Sequence, residues 1–146
     1  YCTLYGDMNG GLSVIGDLYK TSVFDLCDWL DSDSSYSCRN DFFLPEKGEI
    51  ISSEIRHKPP SAELRPDQLD SDSLPDYSIL DPILKGLIEH HLPTEVLIET
   101  GFNQKIVYRV ANLLKNAEFK RYQAPPLLKI SNQAFGSGWK KPIASK

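Results

Sequence analysis

Apolar positions recur at helical spacing in several stretches of the chain, separated by polar, glycine-rich or proline-rich segments. Val23, Leu26, Cys27 and Leu30 fall three and four residues apart, which places them on one face and predicts a helix over 17–30. Ile79, Leu80, Ile83, Leu84, Leu87 and Ile88 make a wider stripe, with Ser78 or Asp81 as N-cap and Pro82 tolerated in the first turn. Residues 93–100 form a shorter helix stopped by Gly101. Asn103 then caps a third, whose face is Ile106, Val107, Val110, Leu113 and Leu114. A short helix over 46–55 ends at Lys58-Pro59-Pro60, since proline disfavours a helical residue before it and donates no backbone bond.

The intervening segments read differently. Residues 1–16 are glycine-rich and suit a turn-rich loop with one short strand over 12–15. Residues 31–40 are polar and cannot bury enough apolar surface to order themselves, and 66–76 form an acidic loop. From Gln123 onward Pro125, Pro126, Gly136, Gly138 and Pro142 predict an extended tail, 123–146. Strand candidates are too few for a sheet. The expected fold is mostly α, with little or no sheet of its own and apolar helix surface that needs a partner. An α/β domain lacking its sheet-forming part looks like this.

Composition narrows the class. Of 146 residues 40% are hydrophobic and 25% charged, which excludes a wholly disordered or membrane-embedded chain. No run of about 18 apolar residues exists to span a bilayer, and no basic-then-apolar leader opens the sequence. The length suits one domain able to bury a core of its own. Met8 is the single methionine, so the expectation is that the chain is part of something longer. Cys2, Cys27 and Cys38 are odd in number and lack zinc spacing, which reads as reduced thiols in an intracellular protein, Cys27 being a small buried hydrophobe. Charge is uneven. Residues 1–80 carry 15 acids and 6 bases (−9), and 81–146 carry 5 acids and 10 bases (+5). A basic end behind an acidic front suits an anionic ligand or partner.

Four segments are not explained by apolar periodicity. The glycine-rich stretch around Asp7 could bring backbone N–H groups to a phosphate, with the Asp7 carboxylate beside a hard cation, although such pairs are usually turns. Lys20 stands near a helix start, where anions are favoured. In Lys58–Pro66 two prolines stiffen the approach to Ser61, which either caps a turn or presents its hydroxyl to a phosphate. Residues 118–123 place Lys120 beside Arg121, a pairing suited to phosphate or carboxylate. The histidines offer no metal pair: His90 and His91 close a helix on different faces. No Ser/His/Asp or Cys/His arrangement supplies a nucleophile.

Taken in order, these segments resemble the C-terminal part of the synthetase domain of NAD+ synthetases. The likeness runs through Y-G-D-M-N-G-G (5–11), Lys20, K-P-P-S-A-E-L-R-P (58–66), D-S-L-P (72–75), G-F-N (101–103), F-K-R-Y-Q-A-P-P (119–126), A-F-G (134–136) and K-P-I-A (141–144). It covers nearly the whole chain, 31–40 looking like an insertion. The K-P-P-S-A-E-L-R-P form and the long tail are closer to the glutamine-dependent branch than to the ammonia-only enzymes.

The resemblance implies the C-terminal portion of an α/β adenine-nucleotide α-hydrolase-like domain of the N-type ATP pyrophosphatase kind. It implies that ATP, assisted by Mg2+, adenylates the nicotinate carboxylate of deamido-NAD+, and that ammonia, from glutamine or free, then gives NAD+ and AMP. Such chemistry needs charge neutralisation and alignment rather than a protein nucleophile. By motif position Asp7 is the acid near metal and ATP, Lys20 and Ser61 are ATP contacts, and Lys120 with Arg121 meets deamido-NAD+. A cytoplasmic homo-oligomer, at least dimeric, is implied as well, with no nucleic-acid or membrane partner. The family's S-G-G-x-D-S loop and glutamine-hydrolysing domain are not in this sequence, so the chain by itself is expected to be inactive. Another ATP-pyrophosphatase amidotransferase, or a helical interaction module with a basic tail, are the competing readings. The first is opposed by F-K-R-Y-Q-A-P-P, the second by the overall acidity.

Overall fold

Helical spacing dominates the residues described by the computed structural model, 11–133, 135, 138–140 and 142, and no β-strand occurs among them. The strand expected over 12–15 shrinks to one parallel bridge between Ser13 and Leu127, where the Ser13 N–H donates to the Pro126 carbonyl at 2.8 Å. The chain divides into two compact units, Tyr19–Leu74 and the described parts of 1–18 and 75–146. No helix among the described residues is long and apolar enough to cross a membrane. Cys2 and the segment around Asp7 lie outside the described residues.

The first unit holds α1 (Lys20–Leu30), α2 (Tyr36–Arg39) and α3 (Ser53–His57). Helix α1 begins later than its apolar spacing suggests, with extended Tyr19 as its cap. Its stripe is covered only in part. Val23, Cys27 and Leu30 are half-buried and Leu26 is 39% exposed, so Cys27 is not the buried hydrophobe expected.

The polar stretch 31–40 departs most from expectation, because it is ordered. Short 3-10 turns at Asp33–Ser35 and Asn40–Phe42 flank α2, and Arg39 and Ser35 are fully buried. A guanidinium does here what apolar area does elsewhere. Arg39 Nε donates to Ser35 Oγ at 2.9 Å, Nη1 to the Gly48 and Pro45 carbonyls at 2.8 and 3.2 Å, and Nη2 to the Leu30 carbonyl. The Tyr36 ring lies 4.5 Å from the guanidinium carbon. Asp31 completes the frame by accepting from the Ile50 and Ile51 N–H groups at 2.6 and 3.1 Å and pairing with Arg56 at 3.3 Å. These bonds hold 46–52 in turns, so the short helix expected over 46–55 forms instead at Ser53–His57.

The second unit packs α4 (Tyr77–Ile88), α5 (Thr94–Glu99) and α6 (Gln104–Asn116), followed by α7 (Glu118–Tyr122). Leu80, Ile83 and Ile88 of α4, Leu97 of α5, and Val107, Val110 and Leu114 of α6 form its buried core. Ile79 and Leu113, at the rims of their stripes, stay 38% and 41% exposed. The cap of α4 is Asp76, not Ser78 or Asp81; its carboxylate accepts from the Ser78 N–H at 2.9 Å and the Ser78 hydroxyl at 2.8 Å. Pro82 therefore falls beyond the first turn and costs the helix a backbone bond, which core packing offsets. Gly101, at φ +106°, ends α5 in a conformation that suits glycine, and Asn103 Oδ1 caps α6 through the Lys105 and Ile106 N–H groups. His90 and His91 follow the C-cap Glu89 rather than closing the helix. Beyond Tyr122 no helix occurs among the described residues.

Candidate functional site

The four described candidates divide between the units. Lys20 and Ser61 belong to the first, Lys120 and Arg121 to the second. Lys20 is the first residue of α1, its ammonium 5.4 Å from the Phe24 ring. Ser61 sits in a loop shaped by left-handed backbone at Glu63 (φ 53°) and Asp67 (φ 54°), which non-glycine residues adopt at a cost. Its Oγ accepts the Glu63 N–H at 3.0 Å, so the turn-capping role is realised while the hydroxyl proton stays available for donation. Lys58 and Glu63 pair at 2.7 Å, and this bond and charge hold the Glu63 carboxyl below its ordinary value. The loop surrounds a concavity of about 540 Å³ lined by Lys58, Ser61, Glu63, Arg65 and Gln68 among others. Ser61 offers a hydroxyl donor at this recess, whose two cations are already paired, Lys58 with Glu63 and Arg65 with Asp72 at 3.6 Å.

In the second unit the two adjacent bases part company. Arg121 is buried, donates from Nε to Glu118 Oε2 at 3.1 Å, and makes a second bond from Nη2 to the same oxygen. Its Nη1 donates to the Phe135 carbonyl at 3.4 Å, and the guanidinium carbon lies 5.1 Å from the Phe135 ring and 4.3 Å from the Trp139 ring. Lys120 is half-buried, its ammonium 6.0 Å from the Phe119 ring, with no ion pair among the described residues. The F-K-R-Y-Q-A-P-P segment also lines a cavity of about 320 Å³ through Arg121, Tyr122, Pro125 and Pro126, closed by Leu127 and Lys140. The Lys140 ammonium stands 4.7 Å from the Tyr122 ring.

Two residues at this end escaped the sequence reading. Lys140 carried no motif. Asp17 reads locally as a helix start, yet its carboxylate turns to the far end of the chain. Oδ2 accepts from the Ser131 and Ile130 N–H groups at 2.7 and 2.8 Å, and Oδ1 from the Phe135 N–H at 2.7 Å. Burial opposes its ionisation, but the bonds from Ser131, Phe135 and Ile130 outweigh it and hold the carboxyl below its ordinary value. A contact across more than a hundred residues leaves no periodic trace. Only the long tail hinted that something must hold it.

Among the described residues no group of three or more His, Cys, Asp or Glu could hold a metal ion. Asp7, the expected metal-side acid, and Ala134, Gly136 and Lys141 of the late motifs lie outside the described residues.

Comparison with known proteins extends the picture. The family described as NAD synthase matches residues 1–124. A protein of Synechocystis sp. named glutamine-dependent NAD(+) synthetase is 48% identical over 144 residues, 99% of this chain and 23% of that protein. Proteins of the same name from Thermotoga maritima and Rhodobacter capsulatus are 42% and 40% identical over 146 residues, covering 23% and 26% of their lengths. The chain thus spans about a quarter of the curated relatives it matches. A solved glutamine-dependent NAD+ synthetase from Acinetobacter baumannii, in complex with ADP, is 33% identical over 98% of this chain and 22% of that one, with a TM-score of 0.48.

Proposed function

Because the chain belongs to the NAD synthase family, we propose that it works as the C-terminal part of a glutamine-dependent NAD+ synthetase. The observation that carries the reading is the 48% identity across 99% of the chain to a protein of that name. The reaction has two steps. An oxygen of the nicotinate carboxylate of deamido-NAD+ attacks the α-phosphorus of ATP and pyrophosphate leaves. Ammonia then attacks the acyl carbon, the bond to AMP breaks, and loss of a proton from nitrogen gives the amide of NAD+. Both steps concentrate negative charge on phosphate oxygens, which cationic and N–H or O–H donors stabilise without a covalent enzyme intermediate.

In this proposal Lys20 and Ser61 serve the ATP phosphates, and Asp7, by motif position, is the acid near the metal and ATP. Lys120 supplies the charge that meets deamido-NAD+. Arg121, expected from motif position to share that contact, is already engaged with Glu118, Phe135 and Trp139, and its proposed part is to brace the short helix that presents Lys120. The wider fold is proposed to be an N-type ATP pyrophosphatase domain. The working enzyme is proposed to be a cytoplasmic homo-oligomer that uses Mg2+ and draws its ammonia from glutamine.

The test uses the complete polypeptide that carries this segment, supplied with ATP, Mg2+, deamido-NAD+ and glutamine. Stoichiometric NAD+, AMP and pyrophosphate are expected. Pyrophosphate release that depends on another acid acceptor, with no NAD+ formed, would contradict the reading.

A further inference from the structure

Phe135 is bonded in two directions. Its N–H donates to Asp17 Oδ1 at 2.7 Å, while its carbonyl accepts from Arg121 Nη1 and its ring faces the same guanidinium. Asp17 holds Ile130 and Ser131 as well, so one buried carboxylate fixes the backbone at both ends of the turn that delivers Phe135. Close approach makes this possible. The turn before Asp17 meets the returning chain through the Ser13–Leu127 bridge, and a Cβ added at Gly16 would stand 3.4 Å from Leu127 Cβ. Arg121 in turn is joined to Glu118 within α7, a single turn and a half that also carries Lys120.

From these contacts we infer that Asp17 is a positioning residue for Lys120: it clasps the tail, the tail sets Phe135 against Arg121, and Arg121 fixes the orientation of α7. The inference rests on the proposed role of Lys120 toward deamido-NAD+ and adds to it a residue more than a hundred positions away. An α7 this short has too few internal bonds to hold its own direction, so its orientation must come from outside. The bond between Glu118 and Arg121 lies within α7 and does not supply it. The Asp17–Phe135–Arg121 path can.

A double-mutant cycle in the complete enzyme tests this. Asp17→Asn removes the charge that three N–H groups converge on and is expected to raise the KM for deamido-NAD+ about tenfold, by misplacing Lys120, with a much smaller effect on the KM for ATP. Because the effect passes through Lys120, adding Asp17→Asn to Lys120→Ala should raise that KM no further. Hydrogen exchange should report loss of protection at the Ile130, Ser131 and Phe135 amides. If Asp17→Asn fails to fold, Phe135→Ala removes the ring from Arg121 while keeping both backbone bonds, and should show the same non-additivity with a smaller rise in KM. Additive effects, or an unchanged KM in Asp17→Asn where Lys120→Ala raises it, would overturn the inference alone. An unchanged KM in Lys120→Ala would instead remove the functional reading on which it stands.

Discussion

Asp17 shows how much one side chain decides at this end of the molecule. Three backbone N–H groups converge on a carboxylate that is only 6% exposed, and they hold its ionisation below the ordinary carboxylate value although burial works against them. Its folded pKa is therefore depressed relative to the unfolded chain, where it sits near 3.9. The stabilisation this clasp provides is fully present above the unfolded value and is lost as pH falls through the folded one. Hydrogen exchange at the Ile130, Ser131 and Phe135 amides, followed from neutral pH downward, should show full protection above the unfolded carboxylate value of about 3.9 and progressive loss as pH falls through the lower folded value. Asp17→Asn should abolish this pH dependence. Protection with the same acid dependence in wild type and Asp17→Asn would show that the tail is held by something else.

Among the elements, those built on apolar spacing and those built on polar contacts differ sharply in how far the sequence discloses them. Helices α4, α5 and α6 were legible almost to the residue. Their buried positions recur at three and four, and Gly101 and Asn103 punctuate them by backbone chemistry that acts locally. Misreading of the α4 cap came from a choice among neighbouring polar residues, of which Asp76 alone has the extended backbone outside the helix. The unit Tyr19–Leu74 was not legible in the same way. Its order comes from Arg39 and Asp31, which satisfy backbone carbonyls and N–H groups far along the chain, and such bonds leave no periodicity. For the same reason the clasp made by Asp17 could not be read at all, while Ser61, whose bond to the Glu63 N–H is local, could be read as one of two alternatives. Arg39→Ala should accordingly strand the Leu30, Pro45 and Gly48 carbonyls and destabilise the unit by about 3 kcal/mol. Urea denaturation would measure it, with exchange at Ile50 and Ile51 showing whether the loop opens. A loss under about 0.5 kcal/mol would mean that water replaces the guanidinium without penalty.

For the molecule as a whole, charge and kinship point the same way. The −9 of residues 1–80 and the +5 of 81–146 concentrate cations in the half that carries Lys120, Arg121 and Lys140. Inside that half the structure distinguishes cations by what surrounds them: Arg121 is engaged with Glu118 and two rings, while Lys120 stands 6.0 Å from the Phe119 ring with no ion pair among the described residues. The sequence showed the pair but not this division, which depends on tail residues brought back by Asp17. The most direct test of the account is the KM for deamido-NAD+ of the complete enzyme with Lys120→Ala, measured beside the KM for ATP. Loss of a charge-assisted contact is expected to raise the first about tenfold or more and leave the second nearly unchanged. Equal values for wild type and variant, or a rise confined to ATP, would contradict it.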